Sequence, residues 1–97
     1  MYETNASSTS CYETREPIKH TLKILPQFYK DILSGEKTFE VRKNDRDFRV
    51  GDYLALAEWD REYTGRGLMV KITYILNDIE WCKEGYVIIG FGREEVK

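Results

Sequence analysis

The sequence predicts a small, mainly β domain of the α+β class: a five- to six-stranded β-barrel with one short helix packed beside the strands. Three observations lead there. Several short segments alternate apolar and polar residues with the period of a half-buried strand. Turn signals such as Val50-Gly51-Asp52 separate them. A single segment has helical spacing instead, and Pro26 and Gly35 bracket it.

The elements follow in order. Residues 1–17 are rich in Ser and Thr and too poor in apolar side chains to anchor a core, so they are expected to form a disordered N-terminal tail. The folded domain is expected over residues 18–97. In residues 20–25, Leu22 and Ile24 alternate with Thr21 and Lys23. Pro26 stops that strand and suits the first turn of a helix over 26–34. There Phe28 with Ile32, and Tyr29 with Leu33, form i,i+4 pairs, and Gly35 ends the helix. Phe39 and Val41 then alternate with Glu40 and Arg42. Residues 53–59 carry Leu54 and Leu56 on one face, and residues 68–76 put Val70, Ile72 and Tyr74 on one side. Residues 60–67 hold two glycines and four charged side chains and read as an exposed loop. Residues 86–91 form an apolar run short enough for a buried strand.

Composition narrows the function classes. The chain has 97 residues, 41% hydrophobic and 33% charged, which suits one globular domain. A formal net charge of -2 gives no global attraction to nucleic acid, so a polyanion site must be a local patch. The two cysteines, Cys11 and Cys82, form no C-x-x-C pair, and His20 is the only histidine, which leaves too few ligands for zinc. No metal or cofactor is expected, and both thiols read as reduced. No apolar run approaches the roughly 20 residues of a membrane span, and no signal-peptide pattern opens the chain. A cytoplasmic protein without a membrane partner is the expectation.

Lys37, Arg42, Lys43, Arg46 and Arg49 bring cations into a short span, with Glu40, Asp45 and Asp47 interleaved. Such a run reads either as a solvated, self-paired surface or as an anion-binding patch. The segment from Gly35 to Arg42 favours the patch. Strand alternation puts Glu40 and Arg42 on the face opposite Phe39 and Val41, while Lys37 sits at the strand mouth beside the helix end. A Lys and an Arg there donate to a phosphate or a base carbonyl, and a Glu accepts from an amino or ring N–H. Tyr63 and Arg66 in the 60–67 loop are candidates for base stacking and a phosphate contact. Trp59 suits stacking or packing equally, since it shares the parity of Tyr53, Ala55 and Ala57. His20 reads as a capping or hydrogen-bonded structural residue in preference to a general base, since no Ser or Cys nucleophile is evidently paired with it, Val50-Gly51-Asp52 as a turn without chemistry, and Trp81 as an edge-packing side chain.

The pattern Gly35-x-Lys37-x-x-Glu40-x-Arg42, entered from Ile32-Leu33-Ser34, resembles the signature of ASCH domains in the PUA-like superfamily. The resemblance is strongest to a small group of uncharacterised ASCH-like proteins of phages and bacteria, and it covers about residues 20–92. Glu58-Trp59-Asp60, Tyr63-Thr64-Gly65-Arg66 and the stretches 70–76 and 85–89 also carry it. It implies a PUA-like barrel with a cleft between helix and strands, and an RNA or modified-nucleoside ligand. Lys37, Glu40, Arg42, Lys43, Arg46, Tyr63 and Arg66 are the expected binding residues. One similar bacterial branch hydrolyses the acetyl amide of 4-acetylcytidine, with the motif lysine serving the reaction and a threonine at the place of Glu40. In that alternative Lys37 and Glu40 are the catalytic candidates. That branch also uses a glutamate from a helical insertion before the last strand. Here residues 77–84 form only a short loop, with Glu80 and Glu84 as stand-ins. The departure tells against hydrolysis and leaves a binding constellation. A third alternative is a phage or mobile-element interaction domain with a protein partner.

Overall fold

Six elements follow one another in the computed structural model, which describes residues 16–93: β1 (Lys19–Ile24), α1 (Pro26–Ser34), β2 (Phe39–Lys43), β3 (Tyr53–Trp59), β4 (Tyr63–Leu76) and β5 (Tyr86–Arg93). Apart from Glu16 and Pro17, the tail expected over residues 1–17 lies outside the described residues.

The alternation read in the sequence becomes an inside and an outside. His20, Leu22 and Ile24 of β1 are buried, as are Leu54 and Leu56 of β3 and Val87, Ile89 and Phe91 of β5. All of these but His20 join Val70, Ile72, Tyr29, Ile32 and Phe48 in one core, whose apolar burial drives the collapse. On α1 the buried pair is Tyr29 and Ile32, three residues apart, while Phe28 and Leu33 stay exposed. The two i,i+4 pairs therefore split, because the helix lies on the sheet along a narrower stripe than the sequence spacing allows. Tyr29 fixes it there by donating its hydroxyl to Gly67 O at 3.2 Å.

The strands form one five-stranded sheet in the order β1-β3-β4-β5-β2, with β1 parallel to β3 and the other neighbours antiparallel. It curls into a half-barrel whose edges, β1 and β2, face each other without a backbone ladder. Two arginine side chains take the ladder's place. Arg42 Nη2 donates to Lys23 O and Arg46 Nη1 to Thr21 O, each at 2.7 Å. Thr21 and Lys23 are two residues apart, so their carbonyls point off the same strand edge. An edge that would otherwise invite a foreign strand is blunted in this way.

Two elements depart from the sequence reading. The loop expected over residues 60–67 shrinks to residues 60–62, because β4 begins at Tyr63. Tyr63 pairs with Trp59, and a register shift between Ala57 and Trp59 absorbs Gly65 at φ +95. Gly67 is needed for closeness, since a Cβ there would meet Leu56 O at 3.3 Å. Tyr74 does not share the side of Val70 and Ile72. A second shift, between Ile72 and Tyr74, turns it outward.

Candidate functional site

A cleft of about 650 Å³ opens where the free edges of β1 and β2 meet the start of α1. Its lining carries four cations, Lys23, Lys37, Arg42 and Lys43, against one carboxylate, Glu40, with Phe28, Phe39 and Val41 as apolar walls. A chain of net negative charge thus presents a locally positive, partly apolar hollow.

Strand β2 builds this hollow by inverting the usual polarity. Glu40 is 6% exposed, whereas Phe39 is 45% and Val41 53% exposed. A buried carboxylate survives only when paired and hydrogen-bonded. Glu40 Oε1 accepts from Lys37 Nζ at 2.5 Å, and Oε2 accepts from Arg42 Nε at 3.0 Å. Lys37 Nζ also donates to Phe39 O at 2.6 Å, and it lies 4.8 Å from the Phe39 ring centroid and 5.4 Å from that of Phe28.

The helix terminus sets where Lys37 starts. Gly35 takes the left-handed conformation, φ +91, and its N–H reaches Ile32 O. The N–H groups of Glu36 and Lys37 both donate to Asp31 O at 3.0 Å. A cation just past a helix C-terminus also meets the negative end of the helix dipole. Lys37 uses two of its three donors on these contacts, and Arg42 two of its five. The remaining N–H groups and the phenyl faces are what a ligand would meet.

Of the residues proposed from sequence, Lys37, Glu40, Arg42 and Lys43 come together in the cleft. Arg46 lies beyond it, clasped to β1 and lining a smaller hollow of about 120 Å³ with Leu22, Asp45 and Phe48. Tyr63 stands on the outer face opposite Trp59. Arg66 is engaged inside the chain: its Nε donates to Glu58 Oε1 at 2.9 Å, and Thr64 donates to the same oxygen at 2.7 Å. The hydrogen bond from Arg66, followed by that from Thr64, holds the Glu58 carboxyl below its ordinary range, and the same pairing raises the Arg66 guanidinium. Glu80 and Glu84 are not among the residues lining the cleft.

Sequence reasoning overlooked Lys23 and Phe28 as cleft residues, and Glu58 and Asp52 as buried carboxylates. Parity with Leu54 and Leu56 was the available signal for Glu58. Asp52 is more than a turn residue. Its Oδ1 accepts Ile18 N–H at 3.1 Å, its Oδ2 accepts Arg49 N–H at 3.2 Å, and His20 Nε2 lies 2.8 Å from Oδ2. His20, packed against Phe48 at 4.8 Å, is the hydrogen-bonded structural residue expected. Trp81 is not an edge-packing residue, being 74% exposed. Asp78 O accepts the N–H groups of Trp81 and Cys82 and the Asp78 carboxylate that of Glu80, a tight turn that throws the indole outward. Cys82 is a free thiol, and Cys11 lies outside the described residues. Among the described residues, no group of three or more His, Cys, Asp or Glu side chains is placed to hold a metal ion. No helix among them is long and apolar enough to cross a membrane.

Two likenesses to known proteins bear on this site. One is to a protein of Escherichia phage P2, named "Uncharacterized 12.9 kDa protein in GpA 3'region", which is 35% identical over 71 residues. The match covers 72% of this chain and 64% of that relative's length. The other is to the family described as Domain of unknown function (DUF3850), which matches residues 19–91. That span runs from the first residue of β1 into β5 and contains the whole cleft, so the chain belongs to the DUF3850 family.

Proposed function

We propose that this chain is an ASCH-type, PUA-like domain that works in the cytoplasm and binds RNA or a modified nucleoside in the cleft beside Lys37, Glu40 and Arg42. The observation that carries the reading is the buried Glu40 held between two cations at the base of a positive cleft with phenyl walls. A flat heterocycle fits the phenyl faces of Phe28 and Phe39. Base carbonyls or a phosphate fit the unused N–H groups of Lys37 and Arg42, and the outer lone pairs of Glu40 fit a base amino group. A pocket of this kind needs no excess of basic residues over the whole chain, which agrees with the net charge of -2.

Hydrolysis has less support. Both Glu40 oxygens already accept from cations, and the cleft lining holds no second carboxylate to activate water or protonate a leaving amine.

The test is a chemical-shift titration with nucleosides and short RNAs, followed by affinity measurements on Lys37→Ala, Lys30→Ala and Lys71→Ala. One charge-assisted hydrogen bond is worth about 1.5–3 kcal/mol, so Lys37→Ala is expected to weaken binding about 10-fold or more while the controls stay near wild type. Equal effects at all three lysines, with binding abolished by salt, would reduce the interaction to diffuse electrostatics and overturn the proposal.

A further inference from the structure

The cleft does not end at its rim. Lys23, one of its lining residues, also belongs to a second surface. Its Nζ lies 4.7 Å from the Trp59 ring centroid and 5.8 Å from that of Tyr63. Trp59 and Tyr63 are direct cross-strand partners where β3 turns into β4. Both project from the outer face of the sheet, since Trp59 has the parity opposite to buried Glu58. Tyr63 is 56% exposed, so much of its ring faces solvent.

From this contiguity we infer that the ligand is a single-stranded polynucleotide of at least two residues rather than a free nucleoside. The inference rests on the reading of the cleft as a base-binding site. One base occupies the cleft. The phosphate that follows meets the Lys23 ammonium, which sits between the two surfaces. The next base stacks on the Tyr63 and Trp59 pair, because every base offers a π-face to an aromatic side chain.

Three features favour this over a packing role alone. The strand ladder holds Trp59 and Tyr63 side by side, and an aromatic side chain, with only two χ angles, loses little freedom when a base stacks on it. The lysine that bridges the two surfaces is anchored by its own backbone, since Lys23 O accepts from Arg42. Because Arg42 binds the carbonyl and not the side chain, Lys23→Ala leaves the clasp between the sheet edges in place, while the ammonium rests against the Trp59 and Tyr63 rings where a phosphate can reach it. The hairpin itself is fixed from behind, where Glu58 holds Thr64 and Arg66.

The experiment uses the full chain carrying Trp81→Phe, so that Trp59 is its sole tryptophan. Tryptophan fluorescence and affinity are measured with the four nucleoside 5′-monophosphates and with random-sequence RNA and DNA tetranucleotides. The expected result is quenching by tetranucleotides and tighter binding of them than of any mononucleotide. Tyr63→Ala is expected to weaken tetranucleotide binding about 5- to 150-fold, the range of one base–aromatic stack, and to weaken it far more than mononucleotide binding. Lys23→Ala is expected to lower the slope of log affinity against log salt by about 0.7, the value of one phosphate on a single strand. A strong preference for the ribo form assigns RNA and parity assigns either sugar, and both agree with the inference. Equal binding of mononucleotides and tetranucleotides, with no quenching and no effect of Tyr63→Ala, would overturn the inference while leaving the cleft reading intact. If no mononucleotide or tetranucleotide binds, the cleft reading fails and the inference with it.

Discussion

Asp52→Ala should be among the most destabilising single changes outside the apolar core. Asp52 is 2% exposed and lies at the end of β1 remote from the cleft. Its two oxygens hold Ile18 N–H, Arg49 N–H and His20 Nε2, which ties the entry of β1 to the turn before β3. Alanine removes these contacts together and leaves their donors without the carboxylate. A hydrogen bond to a charged acceptor contributes about 1.5–3 kcal/mol, and an orphaned buried donor costs about 1–3 kcal/mol. The two backbone donors are only part-buried, so water recovers some of the loss. A net cost of about 3–5 kcal/mol is expected, a large share of the 5–15 kcal/mol typical of a folded domain. Urea unfolding measures it. With a slope of about 1–2 kcal/mol per molar, the midpoint falls by about 1.5–5 M at an unchanged slope. Asp52→Asn should recover part of the loss, because one amide oxygen still accepts while the NH₂ opposes a donor. A cost below about 1 kcal/mol for Asp52→Ala would refute the assignment of this carboxylate as the pin of the β1 end.

Two further outcomes follow from the geometry. The Glu58 carboxyl has a folded pKa below its ordinary 4.5, so its stabilising contribution is full above that value and is lost as pH falls through the lower folded pKa. The stability gap between wild type and Glu58→Gln should therefore be flat from pH 7 to about 5 and shrink in more acid solution, and a gap that widens on acidification would contradict the pairing with Arg66. Gly35→Ala meets no neighbour within 4 Å, so its cost of about 1 kcal/mol is that of a left-handed backbone, read as a drop of about 4–8 °C in melting temperature. Because the same cap seats Lys37, its ligand affinity should fall as well.

How much was legible depended on whether a signal was local. Period-2 alternation placed Leu22, Ile24, Leu54 and Leu56 correctly, because strand parity is a property of neighbouring residues. The helix over 26–34 was legible for the same reason, its bounds being written in Pro26 and Gly35. What failed depended on partners distant in sequence. The extension of β4 back to Tyr63 rests on pairing with β3 across a register shift, and polar residues 63–67 do not advertise it. The duty of Asp52 depends on Ile18 and His20, more than thirty residues earlier. Of the candidate site, the Lys37, Glu40, Arg42 and Lys43 grouping was readable from one short segment. Lys23 and Phe28 were not, because they reach the cleft only once the sheet curls.

The same curl explains why arginines that looked like ligand groups are occupied. An open five-stranded half-barrel has two edges with unpaired backbone groups, and Arg42 and Arg46 bind the carbonyls of β1 across that gap. Arg42 does so with one arm while another nitrogen holds Glu40, so its planar fork couples closure of the sheet to the posture of the cleft carboxylate. Gly35 similarly ends the helix and seats Lys37 in one stroke. The Gly-x-Lys-x-x-Glu-x-Arg segment is therefore a folding device and the proposed site at once. Substitutions inside it confound stability with binding, whereas Lys23 and Tyr63 carry no comparable structural bond through their side chains among the described residues. Loss of binding at those two positions, with the unfolding midpoint preserved, separates recognition from folding where the motif itself cannot.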